Sequence, residues 1–185
     1  MLAAAIPWSA VTNHFVLALT KQKPLRECCL LANLNSMAYD FVARQKIGGI
    51  TLNFFIVEQL PTLPPDAYDE RCPWDRKQTL ADWISSRVLK LSCTADDMKP
   101  LAKACGMKPP VHQWNQDERN LLLAELDAAF FILYGVDRED MIYMLTAFQG
   151  TRSKGMPDLF RPDPDKMLSE AGRRIVEAYD TLRAS

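Results

Sequence analysis

The sequence predicts a mainly α fold, α+β in detail. It comprises a small β element at the N-terminus, one long helix, and then a C-terminal helical bundle. Three observations carry this expectation. The first twenty residues read as extended around one short β-prone run, "FVLALT" (Phe15 to Thr20). Apolar residues then recur at helical spacing from Pro24 to Lys46. From Gln78 onward one start signal after another opens a helical segment.

The elements follow in order. "FVLALT" is too short for a helix and suits a buried strand, punctuated by Pro7 and Pro24. Pro24 fits the first turn of a helix, where its missing N–H costs nothing. Leu30, Leu31, Leu34, Met37, Ala38, Phe41 and Val42 then form one apolar stripe. Gly48-Gly49 is expected to end this helix, because glycine accepts the left-handed conformation that closes one. Thr51 is a candidate cap for a short helix through Leu52, Phe55 and Ile56, with a strand as the alternative, since "FFIV" is β-prone. "LPTLPP" stops it in extended form. Polar 66–77, holding Pro73, reads as a loop or linker.

Beyond it, Thr79 opens "LADWISSRVLKLS", whose Leu80, Trp83, Ile84, Val88 and Leu91 share a face. Thr94 with Asp97 resembles a capping box before a helix stopped by Gly106. Asn115 with Glu118 does the same for a helix closed by Gly135, and Asp137 caps the next. A Gly/Pro/charge loop from Gly150 to Pro164 precedes a last helix ending near Arg183. The expected organisation is therefore 1–65, a linker at 66–77, and a helical bundle at 78–185.

Composition bounds the function. A chain of 185 residues can bury roughly 70% of its unfolded surface and needs no metal or disulfide to fold. The net charge is −1, so any nucleic-acid footprint must be local. Five cysteines, an odd number with no CxxC, argue against a secreted disulfide framework and a zinc ribbon, and suit a reducing cytoplasm. "MLAAAIPWSA" lacks the basic start of a signal peptide, and no apolar run approaches the ~18 residues of a membrane span.

Catalytic chemistry finds no constellation. His14 and His112 share no motif, so no metal site is expected. There is no GxSxG, GxxxxGK[ST] or GxGxxG, and Gly48-Gly49 lacks the lysine of a phosphate loop. Paired acids (Asp96-Asp97, Glu125/Asp127, Glu139-Asp140) suit helix starts better than acid–base work. "PDLFRPDPDK" (Pro157 to Lys166) has Pro164 where a metal-dependent nuclease wants a carboxylate. Trp83 is expected in the core; Trp8, Trp74 and Trp114 fall in loops, either as interface aromatics or folded back over the core.

One stretch goes beyond composition. Leu30 to Pro65 carries Leu34-Asn35-Ser36, Tyr39-Asp40-Phe41 and Arg44, a Gly-Gly turn, Leu52-Asn53-Phe54, then Leu60-Pro61 and Pro64-Pro65. This order resembles the target-recognition region of fused type II (IIG-like) restriction-modification enzymes and related adenine-N6 DNA methyltransferases. The specificity subunits of type I systems have a similar layout. "AELDAAFFILYGVDREDMIYMLTAF" (Ala124 to Phe148) resembles the segment that follows it, and "AAAIPWSAVTNHFVLAL" the strand pair before it.

The resemblance implies that 1–65 is the C-terminal part of a DNA target-recognition domain. It implies a partner in double-stranded DNA and another in an upstream methyltransferase domain or subunit. The family's cofactor glycines and Asn-Pro-Pro-Tyr motif have no match, so the chain is expected to be non-catalytic. S-adenosylmethionine and Mg would belong to upstream domains. The candidate DNA-binding residues are Arg44, Gln45, Lys46, Gly48, Gly49, Thr51 and Asn53. Arg and Lys suit phosphates or guanine edges, Gln suits adenine, and the glycines permit close backbone approach. The alternative is that Arg44 and Lys46 complement a helix C-terminus that Gly48 caps. The chain would then be a helical scaffold that braces the other domains without touching DNA.

Overall fold

A computed structural model of the chain describes residues 3–11, 17–48, 53–106, 112–148 and 168–185. Among these the fold is mainly α: eight α-helices, two 3-10 turns and one two-stranded antiparallel sheet. No helix among the described residues is long and apolar enough to cross a membrane. The chain forms two compact units, each built from separated stretches of sequence. One combines Ser36–Pro61 with Gln116–Ser185; the other combines Leu2–Asn35 with Thr62–Asn115.

The second of these holds α1 (Pro24–Asn35), the 3-10 turn Pro65–Asp69, β1 (Arg71–Cys72), β2 (Asp75–Thr79), α4 (Leu80–Ser92), a second 3-10 turn Asp96–Met98 and α5 (Lys99–Ala104). Helices α1 and α4 pack on each other. Thr79 and Asp82 form a complete capping box at the start of α4, so its first free N–H groups are satisfied locally. Gly106 follows α5 at φ +77, where a Cβ would be strained. α5 starts from the 3-10 turn, whose N-cap is Ala95 without a side-chain bond, so Thr94 and Asp97 make no capping box here.

The small sheet lies elsewhere than expected. Residues 17–20 form no strand, and Phe15 and Val16 lie outside the described residues. The hairpin instead occupies Arg71–Thr79, in the polar stretch read as a linker. Its turn brings Trp74 back over the core, 9% exposed and edge-on to Trp83 at 5.1 Å between ring centroids. Trp74 in the turn and the fully buried Cys72 of β1 anchor the hairpin, whereas β2 is polar throughout, which is why periodicity misses it. Asn33, fully buried, supplies the other local anchor. Its Oδ1 accepts from the Leu63 N–H and the Tyr68 hydroxyl, each at 3.1 Å, and so fixes the extended proline segment.

The other unit holds α2 (Met37–Lys46), α3 (Phe54–Val57), α6 (Gln116–Leu133), α7 (Arg138–Thr146) and α8 (Glu170–Ala184). Its core joins Ala128, Phe131, Met141, Leu145, Ile175 and Tyr179, with α6 packed on α8 and α2. Gly135 at φ +69 closes α6: its N–H donates to Ile132 O and that of Val136 to Phe131 O, the pair of hydrogen bonds of a Schellman end. Asp137 then caps α7 through the Asp140 N–H. Ser169 caps α8 through the Gly172 N–H.

The expected single helix from Pro24 to Lys46 is two. Ser36 sits in extended backbone (φ −68, ψ 146) and its hydroxyl accepts from the Tyr39 N–H, starting α2 afresh. The buried face also differs from the expected stripe. Cys28, Cys29, Ala32 and Asn33 are buried, as are Ala38, Tyr39 and Ala43, while Leu30, Leu31, Leu34, Phe41 and Val42 are only half-buried. The inner face carries small residues (Cys28, Cys29, Ala32, Ala38 and Ala43) together with Asn33 and the large Tyr39.

Candidate nucleic-acid interface

The exposed end of α2 carries the candidate residues. Arg44, Gln45 and Lys46 form its last turn, and all three are exposed, as are Gly48 and Asn53. Gly49 and Thr51 lie outside the described residues. The helix does not end in a left-handed glycine at Gly48. Ile47 is the cap, at φ −84 and ψ 107, and its N–H bonds to Ala43 O at 3.1 Å. Gly48 has negative φ and a Cβ built on it meets nothing within 4 Å. Asn53 N-caps α3 with its backbone carbonyl, which accepts from Ile56 and Val57, and makes no side-chain cap bond.

Arg44 is held on two sides. Its Nε donates to Asp40 Oδ2 at 2.9 Å, the i,i+4 pairing of a helix surface. Its guanidinium lies over the Phe148 ring, 5.1 Å from the centroid. Neither contact buries it, since the side chain is 62% exposed. The planar group is therefore oriented with its outer edge in solvent. Lys46 has no ion-pair partner among the described residues. The exposed last turn of α2 thus carries three donors on consecutive residues, a guanidinium, an amide and an ammonium, fanned around the helix.

Two further features escape sequence reading. Phe54 and Phe55 are 67% and 60% exposed, so the start of α3 presents aromatic rings. The i,i+4 spacing of Asp40 and Arg44 was a usable signal; nothing local announces Phe148. The acids mostly act at helix starts, as Asp140 does in the first turn of α7. Asp127 differs. It sits within α6 and its Oδ1 accepts the Met37 N–H at 2.8 Å, so it serves the start of α2. Burial pushes its carboxyl up to about 7, against the pull of that hydrogen bond; Asp40 adds to the rise.

No catalytic arrangement emerges among the described residues, and no group of three or more His, Cys, Asp or Glu there could hold a metal ion. His14 and Pro157 to Lys166 lie outside the described residues. A cleft of about 240 Å³ in the unit containing α1 is lined by Arg26, Glu27, Leu63, Pro65 and Tyr68. Its charges are committed internally. Arg26 binds Asp66 and Asp69, which holds the Asp69 carboxyl below its ordinary range, and Glu27 accepts from Thr20. Trp8 and Trp114 are exposed at 93% and 62%, whereas Trp83 is core as expected. No family model, curated protein or solved structure matches the chain.

Proposed function

We propose that this chain is a non-catalytic DNA sequence-recognition fragment of a restriction-modification adenine methyltransferase. It acts in the cytoplasm beside an upstream methyltransferase domain or subunit. One observation carries the reading: the exposed Arg44, Gln45 and Lys46 row stands inside the segment whose motif order resembles a target-recognition region. An oriented guanidinium and an exposed ammonium suit phosphate oxygens, and the guanidinium suits a guanine edge. Gln45 suits adenine, and the exposed Asn53 is a further candidate for a base edge. S-adenosylmethionine and Mg belong to the upstream partner.

A second reading has its own support. The Asp40 pair and the Phe148 face give Arg44 a complete structural role, as expected of a scaffold that braces other domains without touching DNA. DNA binding across a salt series, with Arg44→Ala and Lys46→Ala in parallel, separates the two. Recognition predicts that log K falls with log salt and that the slope shrinks by about 0.9 per lost phosphate contact. Absence of binding at low salt supports the scaffold. Lys46→Ala is the cleaner variant, since Arg44→Ala also removes the contacts to Asp40 and Phe148.

A further inference from the structure

Of the five cysteines, Cys105 alone is not fully buried. It caps the six-residue helix α5, and Gly106 follows it in left-handed backbone with open space around it. Its Sγ lies 3.8 Å from that of Cys28, which is 77 residues earlier in α1 and 2% exposed. A disulfide needs about 2.05 Å between sulfurs, so the two are within a small side-chain and cap adjustment of bonding. Cys29, Cys72 and Cys93 are all buried. The geometry is that of an entry thiol backed by a resolving thiol.

We propose that Cys28 and Cys105 form a redox-reactive dithiol that a hydroperoxide converts to a disulfide tying α1 to α5. The shared contact holds the Cys105 thiol below its ordinary range, through the hydrogen bond from Cys28, and raises that of Cys28 for the same reason. The proton therefore stays on Cys28 and the nucleophilic thiolate forms at the accessible sulfur. Cys105 Sγ⁻ attacks the terminal peroxide oxygen. The O–O bond breaks, leaving a sulfenic acid on Cys105 and an alkoxide (hydroxide for hydrogen peroxide) that takes the Cys28 proton. Cys28 Sγ⁻ then attacks Cys105 Sγ, the S–S bond forms, and the S–O bond breaks to release hydroxide, which is protonated to water. Two thiols supply two electrons and one hydroperoxide accepts them.

The test uses the reduced, folded full chain with equimolar hydrogen peroxide. Two of the five thiols should disappear, non-reducing peptide mapping should find Cys28 joined to Cys105, and the thermal midpoint should rise until dithiothreitol reverses it. Cys28→Ala should leave a sulfenic acid on Cys105, captured by dimedone. Cys105→Ala should lose no thiols at the same dose, while Cys93→Ala behaves as the parent. Far-UV circular dichroism checks that each variant is folded. A linked peptide from another pair, thiol loss that persists in Cys105→Ala, or five intact thiols in the treated parent would overturn the proposal.

Discussion

The Met37 N–H donates to Asp127 Oδ1 at 2.8 Å across 90 residues of sequence. This bond, with the Ser36 hydroxyl on the Tyr39 N–H, satisfies two of the free donors at the start of α2. It allows the chain to leave helical backbone at Ser36 and re-enter it one residue later.

Asp127 makes stability depend on pH. Its folded pKa of about 7 lies above that of an unfolded aspartate, about 3.9. Between the two values the folded chain binds a proton that the unfolded chain has lost, so this contribution is complete at low pH and is lost as pH rises toward 7. Asp127→Asn keeps an oxygen for Met37 and removes the titration. Its thermal midpoint should exceed the parent's at pH 8, and the gap should narrow toward pH 5. A gap that is constant with pH would contradict this.

Asn33→Ala should cost about 2 kcal/mol in urea unfolding, because the Leu63 N–H and the Tyr68 hydroxyl lose a buried acceptor. Tyr68→Phe removes only one of these donors and should cost less.

The glycines should separate by backbone. Gly135→Ala places a side chain at φ +69 and should destabilise by about 1 kcal/mol. Gly48→Ala meets no such strain and no neighbour. It should leave stability unchanged or raise it by about 0.5 kcal/mol. If the Gly48 backbone approaches a phosphate, the same substitution should still weaken DNA binding.

Thr79→Ala removes the hydroxyl that accepts from the Asp82 N–H and donates to the Asp82 carboxylate, leaves the Thr79 N–H bond to Asp82 in place, and should cost about 1 kcal/mol. Chemical denaturation of the two chains under matched conditions gives the difference.

These local devices were the readable part of the sequence. The start at Thr79, the stop at Gly135 and the cap at Asp137 each depend on residues within one turn, so spacing reveals them. The break at Ser36 depends on Asp127, and no window of sequence contains both. The hairpin at Arg71–Thr79 was hidden for a different reason: its strands are short and mostly polar, and its burial comes from two isolated residues, Cys72 and Trp74. The apolar stripe was misleading because leucines mark hydrophobicity, whereas the face actually buried is made of cysteines and alanines with Asn33 and Tyr39. At the candidate interface, the basic row and the Asp40–Arg44 pair were visible in the sequence, while the ring of Phe148 beneath Arg44 was not.

The interleaving of the two units limits how the chain can be divided. The stretch Ser36–Pro61 is an excursion between segments that belong to the other unit, and Asn33 clasps that unit's chain at Leu63, just past the excursion's end. No single proteolytic cut can therefore release one unit by itself. A cut at any one site leaves each liberated piece either short of a segment or burdened with an orphan one. A piece that holds one unit without the other is instead one in which Asn35 is rejoined to Thr62 and the chain ends at Asn115. Replacing a 26-residue excursion by a short glycine-serine bridge changes the closure entropy only slightly.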